Sequence, residues 1–119
     1  MAEKTKAKDD YILVIDAGTQ SIRAALIDLQ GGIRSIVKTP IEPYFSEHPG
    51  WAEQDPEYYW DVLCQTCKKL ARKSSSDIKA IKGVTVTTQK GTVINLDKNG
   101  KPLRPAITWL DQRKADKTA

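Results

Sequence analysis

Between Tyr11 and Leu29 the chain reads YILVIDAGTQSIRAALIDL, two apolar runs set either side of a short polar turn. Tyr11–Ile15 is continuously apolar and rich in β-branched residues, the pattern of a strand buried on both faces. Ile22–Leu29 is mixed, with Arg23 among apolar residues and Asp28 near its end. Two strands joined by so short a link predict a β-hairpin.

The turn itself, Asp16-Ala17-Gly18-Thr19-Gln20-Ser21, concentrates groups suited to a phosphate. Asp16 stands where the buried strand ends, so its carboxylate can face a cleft and hold Mg²⁺ through water. Gly18 lacks a Cβ and lets backbone N–H groups approach an anion. Thr19, Gln20 and Ser21 add side-chain donors, and Arg23 adds a fixed cation. Magnesium takes few protein carboxylates and completes its shell with water and phosphate oxygens, a habit that a single Asp fits. The plain alternative is a turn that is polar because turns are.

Beyond the hairpin, Gln30-Gly31-Gly32 predicts a turn and Ile33–Thr39 a third strand, giving an antiparallel meander. Pro40 and Pro43 open an irregular excursion that contains His48, expected to be solvated. Asp55-Pro56-Glu57 is a helix start: a capping carboxylate, proline in the first turn, then an acid beside the helix dipole. The helix is expected to run to Arg72 or Lys73, with Tyr59, Leu63, Cys67 and Leu70 on one face and Trp60, Cys64 and Ala71 alongside. Gly83–Thr88 predicts a fourth strand. Thr92–Asp97 and Leu103–Leu110 predict two more, linked through Asn99-Gly100, although Pro102 and Pro105 make the later one an edge or irregular. Lys114–Ala119 reads as the opening of a helix.

Composition narrows the class. With 39% hydrophobic and 29% charged residues in 119, the chain is an ordinary globular domain at the lower end for a two-sided α/β core. No apolar run is long enough to span a bilayer, and the charged opening MAEKTKAKDD has no signal-peptide core, so residues 1–10 are expected to be a disordered leader and the compartment cytoplasmic. The net charge of +4 is scattered, without the basic stripe interleaved with aromatics that a nucleic-acid surface needs. Cys64 and Cys67 with a single His cannot complete a zinc site; at i, i+3 on a helix they read as core residues.

Three segments now carry a resemblance. Asp16-Ala17-Gly18-Thr19-Gln20-Ser21-Ile22-Arg23 resembles the D-x-G-T-x-S-x-R phosphate-binding hairpin of the actin-like ATPase superfamily, and of its FGGY carbohydrate kinases in particular. Gly50–Pro56 (G-W-A-E-Q-D-P), followed by Trp60, is similar to the lead into that family's first helix. Ala106–Arg113 resembles its I-x-W-x-D-x-R segment. In order and spacing they match the start of the family across nearly all of residues 11–114. The resemblance implies an α/β, ribonuclease H-like mixed sheet that begins with a three-stranded antiparallel meander followed by a helix. It also implies ATP- and Mg²⁺-dependent phosphorylation of a sugar or polyol hydroxyl; from charge and hydropathy no nucleic-acid or membrane partner is expected. Asp16, Gly18, Thr19, Gln20, Ser21 and Arg23 would serve Mg²⁺ and the ATP phosphates, Gln20 standing where the family often has Thr or Ser.

The family's acceptor site follows the fourth strand. Glycerol kinases carry Gln-Arg-Glu there and xylulose kinases Gln-Met-His, whereas this chain has Gln89-Lys90-Gly91. The missing Arg–Glu clamp argues against glycerol. Lys90 can hydrogen-bond a hydroxyl or an acidic group, and Gly91 leaves room for something bulkier; a strand-end turn is the other reading. In the family the Trp109, Asp111 and Arg113 segment borders the sugar pocket. The alternative is an Asp–Arg pair bracing an edge strand, with Trp109 in the core. Trp51 is expected to plug the excursion and Glu53 to bond local backbone.

FGGY kinases are several times longer than 119 residues. The general base, the adenosine-holding second domain and part of the first sheet's cover have no counterpart here. The expectation is a fragment, residues 11–119 being the opening part of a first domain, inactive alone and prone to homo-oligomers through uncovered sheet. A non-catalytic interaction module or remnant is the alternative function.

Overall fold

The computed structural model describes residues 9–113. Most of the expected leader and the helix opening expected at Lys114–Ala119 lie outside them. Three strands form the meander: β1 (Tyr11–Ala17), β2 (Ser21–Asp28) and β3 (Ile33–Pro40). After a two-residue β4 (Glu53–Gln54) comes the helix α1 (Pro56–Lys73), then β5 (Ile81–Thr88) and a two-residue β6 (Ala106–Ile107). The main sheet runs β3-β2-β1-β5, and β5 lies parallel to β1 while the other pairs are antiparallel. A parallel neighbour needs a crossover, and α1 supplies it.

The helix starts as its sequence dictates. Asp55 caps it by accepting from the Glu57 N–H at 2.9 Å, and Pro56 occupies the first turn, where a missing N–H costs nothing. Its buried row is Val62, Thr66 and Leu70, laid over the β2–β3 side of the sheet. Leu70 packs with Tyr11, Ala24 and Leu26; Val62 packs with Ile22 and Ile41. Of the expected face, Leu70 belongs to this row and Tyr59, Leu63 and Cys67 pack half-buried against the core, so the buried centre is turned from expectation toward Val62 and Thr66, and Trp60 is exposed. The i, i+4 row that meets the sheet includes Thr66, a polar residue that hydrophobicity alone passes over. Its hydroxyl lies 2.7 Å from the Val62 carbonyl and 2.8 Å from the Thr39 hydroxyl. Both cysteines are free thiols, and burial pushes Cys67 above its ordinary value.

Two expectations about strands are corrected. β1 is not buried on both faces: Tyr11 and Ile15 are buried, but Ile12, Leu13 and Val14 are only half-buried. Among the described residues α1 covers one face of the sheet. The segments 92–97 and 103–110 are not strands of the sheet; they hold isolated bridges (Val93 with Ile107, Leu96 with Pro102) and the short β6, which pairs with β4. Pro102 and Pro105 remove ladder donors where continuous strands would need them. The Asn99-Gly100 turn does form, with Gly100 at φ +81 and the Asp97 N–H on the Lys101 carbonyl at 2.8 Å.

Candidate functional site

The β1–β2 register sets Asp16 opposite Arg23, and the β2–β3 register sets Arg23 opposite Lys38. Side chains alternate along a strand, and Ile22, Ala24 and Leu26 are taken by the core, so these three charged residues project from the other face. There they line a polar cavity of about 410 Å³ together with Gly18, Thr19, Gln20 and Ser21. All six residues expected at the phosphate site therefore meet in one place. Lys38 was missed. Its signal lies in the register: once the meander is drawn, position 38 is the cross-strand neighbour of Arg23.

Asp16 and Arg23 approach to 3.9 Å with 42% and 47% of their side chains exposed. An ion pair so loose and wet contributes little, so both groups remain available to a ligand. Asp16 is the one carboxylate on the cavity lining, facing two cations and two hydroxyls. That donor set fits a magnesium ion that takes one protein carboxylate and otherwise binds water and phosphate oxygens.

Gly18 works differently from expectation. Its N–H donates to the Ser21 carbonyl at 3.0 Å and so closes the turn rather than facing an anion. A Cβ there would stand 3.1 Å from that same oxygen, so the closeness of the turn disfavours a side chain at this position. The turn is held from outside as well. Ile41 N–H donates to the Gln20 carbonyl at 2.9 Å, Gln89 Nε2 to the Gly18 carbonyl at 3.1 Å, and Trp109 Nε1 to Thr19 Oγ1 at 3.0 Å.

The residues expected at the acceptor side divide. Gln89 and Trp109 touch the hairpin, and Trp109 is half exposed rather than in the core. Lys90 is exposed two residues beyond the end of β5. Gly91 sits at φ +83, and a Cβ on it would meet the Trp109 Cβ at 3.2 Å, so the space beside it is filled by the start of the Trp109 side chain. Asp111 and Arg113 stand apart from the polar cavity, in a brace. Arg113 Nε and Nη2 donate to the two Asp111 oxygens at 2.8 and 2.7 Å, and the Ala52 N–H donates to Asp111 Oδ2 at 2.7 Å. The Arg113 guanidinium so bonded holds the Asp111 carboxyl well below the usual carboxylate range.

The brace joins two of the sequence motifs. Glu53 is buried and pairs with Arg104 and with Arg113, the latter at 3.2 Å, which corrects the expectation that it bonds local backbone. The Arg113 guanidinium lies 3.8 Å from the centre of the Trp51 ring, where the π face attracts it. Thr108 and Gln112 N–H groups bond the carbonyls of Ala52 and Gly50 at 2.9 and 2.7 Å. Gly50–Pro56 and Ala106–Arg113 are thus two halves of one structure, and its Trp109 reaches the third motif, the hairpin.

Comparison with known proteins decides the family. The model of the FGGY family of carbohydrate kinases, N-terminal domain, matches residues 11–118. The chain belongs to that family. It is 36% identical over 110 residues to a glycerol kinase of Burkholderia cenocepacia, covering 92% of this chain and 22% of that protein. A xyloylose kinase from Brucella ovis superposes with a TM-score of 0.82 at 29% identity, over 87% of this chain and 22% of that one. A glycerol kinase from Plasmodium falciparum, crystallised with ADP, superposes at 0.69 with 32% identity, over 88% and 21%. The chain therefore spans about a fifth of the length of these relatives. The mixed sheet with its single crossover helix is the part of the FGGY fold that this segment supplies. Among the described residues no helix is long and apolar enough to cross a membrane.

Proposed function

We propose that the β1–β2 turn binds the phosphates of Mg-ATP, and that the whole protein transfers the γ-phosphoryl group to a sugar or polyol hydroxyl in the cytoplasm. The observation that carries this reading is the gathering of Asp16, Thr19, Ser21, Arg23 and Lys38 on one polar cavity, within a chain of the FGGY family. Phosphoryl transfer asks a protein chiefly for positioning and charge neutralisation. Arg23 and Lys38 supply fixed positive charge from adjacent strands, while Thr19 and Ser21 supply hydroxyl donors at the turn. Asp16 would hold Mg²⁺, which when bound neutralises phosphate charge. Gln89, Lys90 and Trp109 border the acceptor side, and Asp111 with Arg113 keeps that side's loop in place.

The acceptor's identity turns on Lys90 and Gly91. Relatives named glycerol kinases support a polyol, but the Arg–Glu pair expected for glycerol is replaced here, and since Trp109 fills the space beside Gly91, Lys90 is what distinguishes the acceptor: an acidic polyhydroxylated one is the better match. Among the described residues, Asp16 is the one carboxylate lining the polar cavity. Asp16 faces the phosphates and Asp111 is committed to Arg113, so the 119-residue chain alone is expected to bind without turning over.

Titration of the chain with Mg-ATP tests the site. Binding should need Mg²⁺, and Asp16→Asn should remove the Mg²⁺ dependence. Arg23→Ala should weaken binding about tenfold or more, the size of a charge-assisted hydrogen bond. ATP affinity indifferent to Mg²⁺ and to both substitutions would sink the reading.

A further inference from the structure

A ring of hydrogen bonds closes against the turn of the hairpin. Gln89 Nε2 donates to the Gly18 carbonyl at 3.1 Å, and the Thr92 hydroxyl donates to Gln89 Oε1 at 3.2 Å. The Trp109 backbone N–H approaches Thr92 Oγ1 at 3.4 Å, and the Trp109 indole N–H donates to Thr19 Oγ1 at 3.0 Å. Thr19 follows Gly18 in the chain, which completes the circuit. Three segments distant in sequence are joined by it. Gly91 permits the closure: it turns at φ +83, and any Cβ there would push on Trp109 at 3.2 Å.

The chemistry of the last bond has a direction. An indole N–H only donates, while a threonine hydroxyl has one proton to give and lone pairs to receive. With the indole on one lone pair, the Thr19 proton is the group left to point elsewhere, and Thr19 lines the cavity that holds Arg23 and Lys38. Charged acceptors make the stronger bond to such a hydroxyl.

We propose that Trp109 is a positioning residue for the phosphate hairpin: its indole N–H fixes the Thr19 hydroxyl as a donor aimed at the bound anion. This rests on the phosphate reading above and adds to it a residue outside the turn. Trp109 touches no phosphate; it acts through Thr19. Gln89 supports it by anchoring the turn, and Gly91 by leaving space for the Trp109 Cβ.

Proton–nitrogen correlation spectra of the 119-residue chain test it, because each of its three tryptophans gives one indole signal. Trp109→Phe assigns the signal. Thr19→Val should displace the Trp109 indole resonance in the ligand-free chain, and Gly91→Ala should displace it without touching the hairpin. On titration with Mg-tripolyphosphate, that resonance should move with the same midpoint as the hairpin amides. Trp109→Phe should weaken tripolyphosphate binding about three- to tenfold, as loss of one oriented hydrogen bond would. In a Thr19→Val background it should weaken binding no further. An indole signal indifferent to Thr19→Val, or equal losses from Trp109→Phe in both backgrounds, overturns the inference while leaving the phosphate site standing. Absence of tripolyphosphate binding by the unsubstituted chain overturns the phosphate site and this inference together.

Discussion

Asp111 owes its state to its neighbours. The carboxylate accepts two bonds from Arg113 and one from the Ala52 N–H, and its side chain is 4% exposed. The Arg113 hydrogen bonds lower its folded pKa, while in the unfolded chain it titrates near an ordinary Asp value of about 3.9. Its stabilising contribution is therefore complete above about pH 4 and is lost as pH falls toward the depressed folded value. Urea midpoints should show Asp111→Asn well below the unsubstituted chain at neutral pH, with the gap closing in acid. A gap that stays constant from neutral to acid pH would show that the Asp111 charge does not stabilise the brace. The same residue is ambiguous in one dimension: W-x-D-x-R is compatible with a sugar contact or with a structural pair, and only the position of Ala52 shows what the carboxylate bonds.

The helix α1 shows which parts of an element its own residues specify. Its ends are local: Asp55 and Pro56 set the start, and Arg72 and Lys73 suit the negative end of the dipole. Its buried row is not local, since the row depends on where the sheet lies. Leu70 is 3% exposed against Tyr11, Ala24 and Leu26, so Leu70→Ala should cost about 2–5 kcal/mol through lost contact and a cavity. Thr66 is fully buried, and Thr66→Val keeps its shape while leaving the Thr39 hydroxyl without its partner. A cost of about 1 kcal/mol follows. Thermal or urea unfolding of the two variants checks the order; Thr66→Val costing as much as Leu70→Ala would mean that the polar contact, not the apolar packing, dominates this seam.

Taken whole, the molecule leaves apolar surface open. Val84 and Val86 stand two residues apart on one face of the edge strand β5 and are 60% and 58% exposed, and Trp60 on α1 is 60% exposed. An edge strand with a bare apolar row invites pairing with another copy. Sedimentation of the 119-residue chain should show self-association that rises with concentration, and a Val84→Lys, Val86→Lys double variant should remain monomeric. A monomer at all concentrations would show that this face is inert. In a full-length relative the same row would be expected to find its cover within the chain.

Reading the residues in order was enough for the meander, the helix with its cap, the strand β5 and the three motifs, because each rests on spacing, turn chemistry or charge within a few positions. The hairpin residues that gather on the polar cavity were legible for the same reason, lying close together along one hairpin. Lys38, the Glu53–Arg104–Arg113 pairing, the seating of Trp109 on Thr19 and the parallel partner of β5 were not. Each joins positions remote in the chain, and apolar or charged character alone leaves many possible partners. Segments 92–97 and 103–110 failed as strands because β character needs a neighbouring ladder as well as β-prone residues, and whether one is present is a property of the folded sheet.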